Sequence, residues 1–194
     1  PTYVVGTLWG FMWQRDEGQP ATEKTDVWVT FDSSNVYVSF RCWESQPDKI
    51  VATEMRRDGS IIFTGDDSVL FQFDTFYDRR NSFVFTTNPL GARMEGQVTN
   101  ERQYSGDWNP VWEIKAGRFD KGWTIEAAVP FKSLRYRPGR SQIWGFNVRR
   151  YNRHKNEFSH LTRIPAARGP QAYQQASFAA TLVGLETPPG SKNL

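Results

Sequence analysis

The sequence predicts an antiparallel β-sandwich: two sheets, jelly-roll-like, of about eight to ten strands, with one or two short helices. Three observations carry that expectation. Apolar and polar residues alternate at period two through most of the chain. Turn-forming clusters recur at short spacing between the alternating runs. Only two short stretches read as helix.

The elements follow in order. In "TDVWVTFD" the side chains of Val27, Val29 and Phe31 share one face; in "VYVSFRCWE" Val36, Val38, Phe40 and Cys42 do. The turn formers "DSSN" join the two runs as a hairpin. "PDKIVATEMRR" predicts two or three helical turns capped by Ser45 or Asp48. "DDSVLFQFDT" alternates Val69, Phe71 and Phe73 against Leu70, Gln72 and Asp74, and "SFVFTT" follows before the turn "NPLG". "VWEIKAGRF" and "WTIEAAVPF" flank "DKG" as a further hairpin, and "PFKSLRY" predicts one helical turn. "IWGFNVRRYNR", "FSHLTRI" and "SFAATLVGL" complete the strands, and the predicted core is Val29, Phe31, Val38, Phe40, Phe71, Phe73, Phe85 and Ile125.

The 194 residues read as one domain. The opening "PTYVVG", which lacks methionine, and the polar tail over 186–194 suggest a piece of a longer protein. Aromatic residues make up 15% of the chain, eight of them tryptophan, which excludes disorder and suits buried rings or rings presented to flat ligands. A net charge of +3, spread along the chain, falls short of a nucleic-acid footprint. No run approaches the ~20 apolar residues of a membrane helix, so this segment is not expected to insert in a membrane. Cys42 is the single cysteine, which excludes an intrachain disulfide, and its inward position reads as a buried thiol.

Several stretches could carry chemistry. "DTFYDRRNSFVFTTNPLG" opens as a hairpin connection in which Asp78 accepts backbone N–H groups and Arg80 faces a loop end. "MRRDG", with Arg56 and Arg57, also joins an element to a strand, and arginine forks suit carboxylates and sugar hydroxyls. Carboxylates are many (Asp66, Asp67, Asp74, Glu95, Glu113, Glu126), but no spacing marks the converging pair that glycoside hydrolysis uses. "TGDDS" offers Asp66 and Asp67 to a structural calcium ion without the spacing of an EF-hand. His154 and His160, an even number of residues apart, would share a face of a continuous strand. "RRYNRHKNE" reads as a solvated edge and turn, with Glu157 pairing its cations. Trp28, Trp43, Trp112, Trp123 and Trp144 lie in alternating runs, whereas Trp108, Phe63 and Tyr173 stand outside them as candidate loop rings.

Taken together, "GQPATEKTDVWVTFDSSNVYVSFRCWE", "DDSVLFQFDTFYDRRNSFVFTTNPLGARMEG", "GWTIEAAVPFKSLR" and "WGFNVRRYNRHKNE" resemble carbohydrate-binding module family 9-like domains. More closely, the chain is similar to the branch that precedes an outer-membrane-type β-barrel in large bacterial proteins. The resemblance runs from about Phe11 to Leu185 and rests on the combination of motifs. It implies a sandwich with a ligand face at one loop end, no required cofactor, and calcium in several relatives. Family members clamp a terminal sugar between two tryptophans, one before the "DSV" strand and one before the last strand. Here those loops read "TEMRRDGSIIFTG" and "RGPQAYQQA", which hold Phe63 and Tyr173 and no tryptophan.

On the resemblance, Phe63 and Tyr173 form the platform, with Arg56, Arg57, Arg80, Asn88, Gln174 and Gln175 as polar contacts. The expected function is non-catalytic binding of an oligo- or polysaccharide in the bacterial cell envelope, at the periplasm or cell surface. Two alternatives stand beside it. One is an interaction domain packing on its own C-terminal barrel; the other is a glycan hydrolase.

Overall fold

A computed structural model describes residues 4–8, 11–14, 17–169 and 171–188, with side chains from residue 17 onward. Two antiparallel sheets form a sandwich. The first has the order β1 (Val4–Leu8), β3 (Thr25–Phe31), β4 (Asn35–Trp43), β10 (Gly122–Pro130) and β9 (Glu113–Phe119). The second runs β2 (Phe11–Gln14), β12 (Glu157–His160), β11 (Ser141–Asn152), β5 (Ser68–Asp74), β6 (Ser82–Thr87), β7 (Arg93–Thr99) and β8 (Gln103–Ser105). Strand β13 (Ala180–Glu186) pairs with the first half of β11, on the edge that β12 takes along the second half.

The alternation places the core as predicted, with one difference. Val29, Val38, Phe40, Phe71, Phe73, Phe85 and Ile125 are buried between the sheets, while Phe31 ends its strand half-buried against them. Aromatic rings fill the middle. Phe71 stacks on Phe85 with centroids 5.0 Å apart and meets Phe73 at 5.7 Å, Phe40 at 5.9 Å and Trp112 at 6.1 Å. Trp112, Trp123 and Trp144 are fully buried, and Trp112 donates its indole N–H to Glu95 at 2.8 Å. Trp28 and Trp43 instead lie on the outer face of the first sheet, where Arg41 sits 5.7 Å and 5.9 Å from their ring centroids. Trp108 is no free loop ring: it packs 4.6 Å from Phe83 and 5.5 Å from Phe85.

The helix expected over residues 47–57 is absent. Pro47–Lys49 make a single 3-10 turn and the chain then runs extended, because two buried aspartates claim its N–H groups. Asp67 accepts from Val51 N at 2.7 Å, and Asp66 accepts from Thr53 N, Thr53 Oγ1 and Glu54 N at 2.9, 2.9 and 3.0 Å. Among the described residues the one α-helical turn, α1 (Ile61–Thr64), follows instead. A 3-10 turn at Phe131–Ser133 matches the turn expected in "PFKSLRY". Among the described residues no helix is long and apolar enough to cross a membrane.

Candidate functional site

The opposite face of the second sheet, away from the core, gathers the groups of interest. On β5, Ser68, Leu70 and Gln72 point outward, since Val69, Phe71 and Phe73 face the core. Register sets Arg149 of β11 opposite Leu70 on one side and His160 on the other. Tyr151 lies opposite Ser68 and Phe158, and its ring stacks on Phe158 at 4.1 Å. Leu70, Val84 and Val98 form a small apolar floor, onto which Tyr173 and Phe63 fold from two distant loops. Phe63 belongs to α1 and Tyr173 to the 3-10 turn Ala172–Gln174; their rings meet at 5.2 Å.

Arg149 lies beneath these rings. Its guanidinium carbon is 4.0 Å from the Phe63 centroid, 4.8 Å from Tyr173 and 5.0 Å from Phe158. The residue is only 3% exposed, and its Nε and Nη2 have no hydrogen-bond partner. Ser68 Oγ, Gln72 Nε2 and Gln174 Oε1 are likewise buried without one. Native interiors rarely strand such groups; three of the four residues lie on this sheet face and Gln174 lies in the turn that covers it, while Trp123 Nε1, Arg150 Nε and the His154 ring nitrogens are stranded elsewhere. Burial holds the Arg149 guanidinium down at about 10, which leaves it charged at neutral pH.

His160 shares that burial. Desolvation, with Arg149 beside it, pushes its imidazole from 6.5 down to about 3. Between those values the unfolded chain binds a proton that the folded chain does not, so folding weakens as pH falls through that window. Urea midpoints at about pH 7.5 and about pH 4.5 should therefore differ less in His160→Gln than in the parent. An equal drop in both proteins would mean that His160 does not titrate on unfolding.

The remaining candidates divide by place. Phe63, Tyr173 and Gln174 come together over Arg149, and Gln174 donates to the Tyr173 hydroxyl at 3.0 Å. Gln175, next in sequence, is half-buried. Arg56 is exposed and held by Glu54 through Nε and Nη2 at 3.1 and 3.0 Å. This pairing holds the Glu54 carboxyl down at about 2. Arg57 is bound to Glu95 and to the Pro110 carbonyl. Asn88 is fully buried and saturated: it donates to Glu54 O and Asp66 Oδ2 and accepts from Leu90 N and Ala92 N. Its side chain has no group left for a ligand.

Arg80 lies at the other end of the second sheet, in the β5–β6 connection, whereas Arg56, Arg57 and Asn88 gather near the end where β6 meets β7. That connection is a built turn. Asp74 accepts from Asp78 N and Arg79 N at 3.1 and 2.7 Å, and Asp78 accepts from Arg80 N and Asn81 N at 2.8 and 2.9 Å. The aspartates thus hold the arginines by their backbone. Arg79, at a left-handed φ of 61°, ties the turn to the start of β13 through Ala179 O and Thr181 Oγ1.

Of the charged stretch after Arg149, Arg150 and Lys155 are paired internally and Arg153 is exposed. Arg150 faces the other side of the sheet, bonding Lys24 O, Thr25 Oγ1 and Trp43 O, with Glu44 at 3.5 Å. Lys155 pairs with Glu23, while Glu157 accepts from Thr22 and not from the cations near it. A turn at Arg153–Asn156 parts the histidines, leaving His154 3.9 Å from Glu44 and His160 beside Arg149. Asp66 and Asp67 do not fit a calcium cage, because their oxygens already face N–H and O–H hydrogens that a cation would have to displace. No group of three or more acidic, histidine or cysteine side chains that could hold a metal occurs among the described residues. A groove of about 620 Å3 on the first sheet, lined by Tyr37, Glu113, Lys115 and Glu126, keeps its charged groups exposed to water.

No protein-family model and no curated protein sequence matches the chain. Solved structures do. A family 9 carbohydrate-binding module from Caldicellulosiruptor kristjanssonii, in complex with cellotriose, superposes with a TM-score of 0.62 at 14% identity. The match covers 98% of this chain and 85% of that one. A family 9 module from the same organism, in complex with glucose, gives 0.63 at 14% identity over 98% and 87%. A Bacteroides uniformis protein to which carbohydrate binding is ascribed gives 0.72 at 11% identity over 95% and 86%. The fold is therefore that of a β-sandwich of the family 9 module type.

Proposed function

We propose that the chain is a non-catalytic carbohydrate-binding module that takes a sugar on the outer face of its second sheet. Phe63 and Tyr173 form the platform, Arg149, Gln72, Gln174 and Ser68 supply hydrogen bonds, and Arg56 stands at the rim. The observation that carries this reading is the meeting of two rings from separate loops over buried, unpaired polar groups. A sugar presents C–H groups on one face and hydroxyls around its edge, so it would cover rings and satisfy donors together. The family 9 modules of the same fold, solved with cellotriose and glucose, support it. On this reading the domain needs no cofactor and works in the bacterial cell envelope, beside a C-terminal barrel of its own protein.

A glycan array followed by titration calorimetry tests the proposal. Phe63→Ala and Tyr173→Ala should each weaken the best glycan by about tenfold or more, as losing one stacked ring would. Circular dichroism should show both variants folded. Unchanged affinity in both would move the site elsewhere. Absence of any glycan ligand, with capture of the barrel region instead, would favour the interaction-domain reading, and steady release of reducing ends would favour an enzyme.

A further inference from the structure

Arginine pairs within the chain show what a guanidinium edge holds here. Arg56 gives Nε and Nη2 to the two oxygens of the Glu54 carboxylate, while Arg57 gives the same two atoms to the single oxygen Oε1 of Glu95. These atoms form the side-on fork that matches two carboxylate oxygens. Arg149 presents the same fork, and there it is buried and empty-handed. Phe63, Tyr173 and Phe158 surround the guanidinium, and among the described residues its Nε and Nη2 find no oxygen or nitrogen acceptor. Cation–π contact uses the face of an aromatic ring and leaves in-plane N–H donors to be satisfied by something else.

No carboxylate among the described residues answers that need. Among the described residues no ion pair involves Arg149, and the hydroxyl-bearing rings near it, Tyr173 and Tyr151, are not carboxylates. His160, neutral at physiological pH, adds no counter-charge. A buried cation without a partner is costly, and the cost is relieved when an anion arrives. The surrounding unpaired groups suit such a guest: Gln72 Nε2 is a donor, Ser68 Oγ donates or accepts, and Gln174 Oε1 would take a hydroxyl.

We infer that the sugar bound at this site carries a carboxylate, as uronic acids do, and that this carboxylate takes the Nε/Nη2 fork of Arg149. The inference rests on the sugar site proposed above and names the chemical class of its ligand. Gln174 and Tyr173 lie across the approach, on a turn of three residues closed by Gln174 N to Gln171 O and Gln175 N to Ala172 O.

The test is calorimetry on the intact chain with glucuronate, galacturonate and mannuronate beside glucose, galactose and mannose, and with the matching uronamides. One uronate should bind at least about tenfold tighter than its neutral parent and its amide, the increment of a charge-assisted bidentate contact. In Arg149→Lys, which keeps the charge and loses the fork, that preference should shrink to about twofold or less. The comparison of acid with amide needs no variant, so it stands even if Arg149→Lys fails to fold. Equal binding of acid, amide and neutral sugar overturns the carboxylate and leaves the sugar site intact. Tighter binding of glucose 6-sulfate than of every uronate also overturns it, and binding of none of these sugars overturns both readings.

Discussion

Phe71→Ala is expected to lower the free energy of unfolding by about 3–5 kcal/mol, the range for deleting a fully buried ring. The ring is 0% exposed and touches four others, from both sheets and from the loop that carries Trp112. Neighbours so bulky cannot close over the space, because rings that stack and meet edge-on resist repacking as a group. Urea unfolding followed by tryptophan fluorescence gives the difference directly, and circular dichroism of the variant should stay that of a β protein. A loss below about 1 kcal/mol would mean that the sheets can slide together to fill the cavity, and the tight aromatic centre described here would be wrong.

Asp66→Ala should cost about 2–4 kcal/mol, through orphaned donors and not through lost volume. Glu54 N and Asn88 Nδ2 are both bonded to Asp66 and both buried, so removal of the carboxylate strands the Glu54 N–H and one of the two Asn88 amide hydrogens, the other staying on Glu54 O. Thr53 is exposed and can turn to solvent, which limits its share. The loop that Asp66 clasps leads to Arg56, Arg57 and Phe63, so the variant should also bind glycan more weakly than its stability alone implies. Calcium or EDTA should leave the thermal midpoint of the parent unchanged. A midpoint that falls with EDTA in the parent, and no longer does so in Asp66→Ala, would restore the calcium site that "TGDDS" suggests.

Much of the sandwich was legible because period-two alternation states both strand and face. Val27, Val29, Val38 and Phe40 could be placed inward from spacing alone, and they are. Strands β7 and β8 were not legible: "RMEGQVT" breaks its alternation at Gly96, which is small so that the Tyr104 ring can lie over it. The stretch over 47–57 has helical composition, but long-range bonds from Asp66 and Asp67 outweigh a local preference worth a few tenths of a kcal/mol per residue. Strands β1 and β2 are too short to signal themselves.

The candidate site was half legible. Phe63 and Tyr173 could be named from the resemblance, and they meet. Arg149 was hidden in a run of cations that reads as a surface patch. The clue was present: Trp144, Phe146, Val148 and Arg150 share one side of β11, so Arg149 must take the other. What the spacing could not convey is that two loops, more than a hundred residues apart, cover that other side. Arg80 shows the reverse case, since sequence neighbours suggested a shared end and the hairpin carries it to the opposite one.

Cys42 is sealed between the sheets, and burial pushes its thiol up to about 12. At neutral pH it is therefore neither accessible nor ionised, and thiol reagents should pass it by. Any cysteine introduced at the surface, for example at Met55, which is 76% exposed beside Arg56, becomes the single reactive thiol of the chain. A dye placed there would report on the loop that carries Arg56, at the rim of the proposed sugar site, with no need to remove the natural cysteine and no risk of labelling the core.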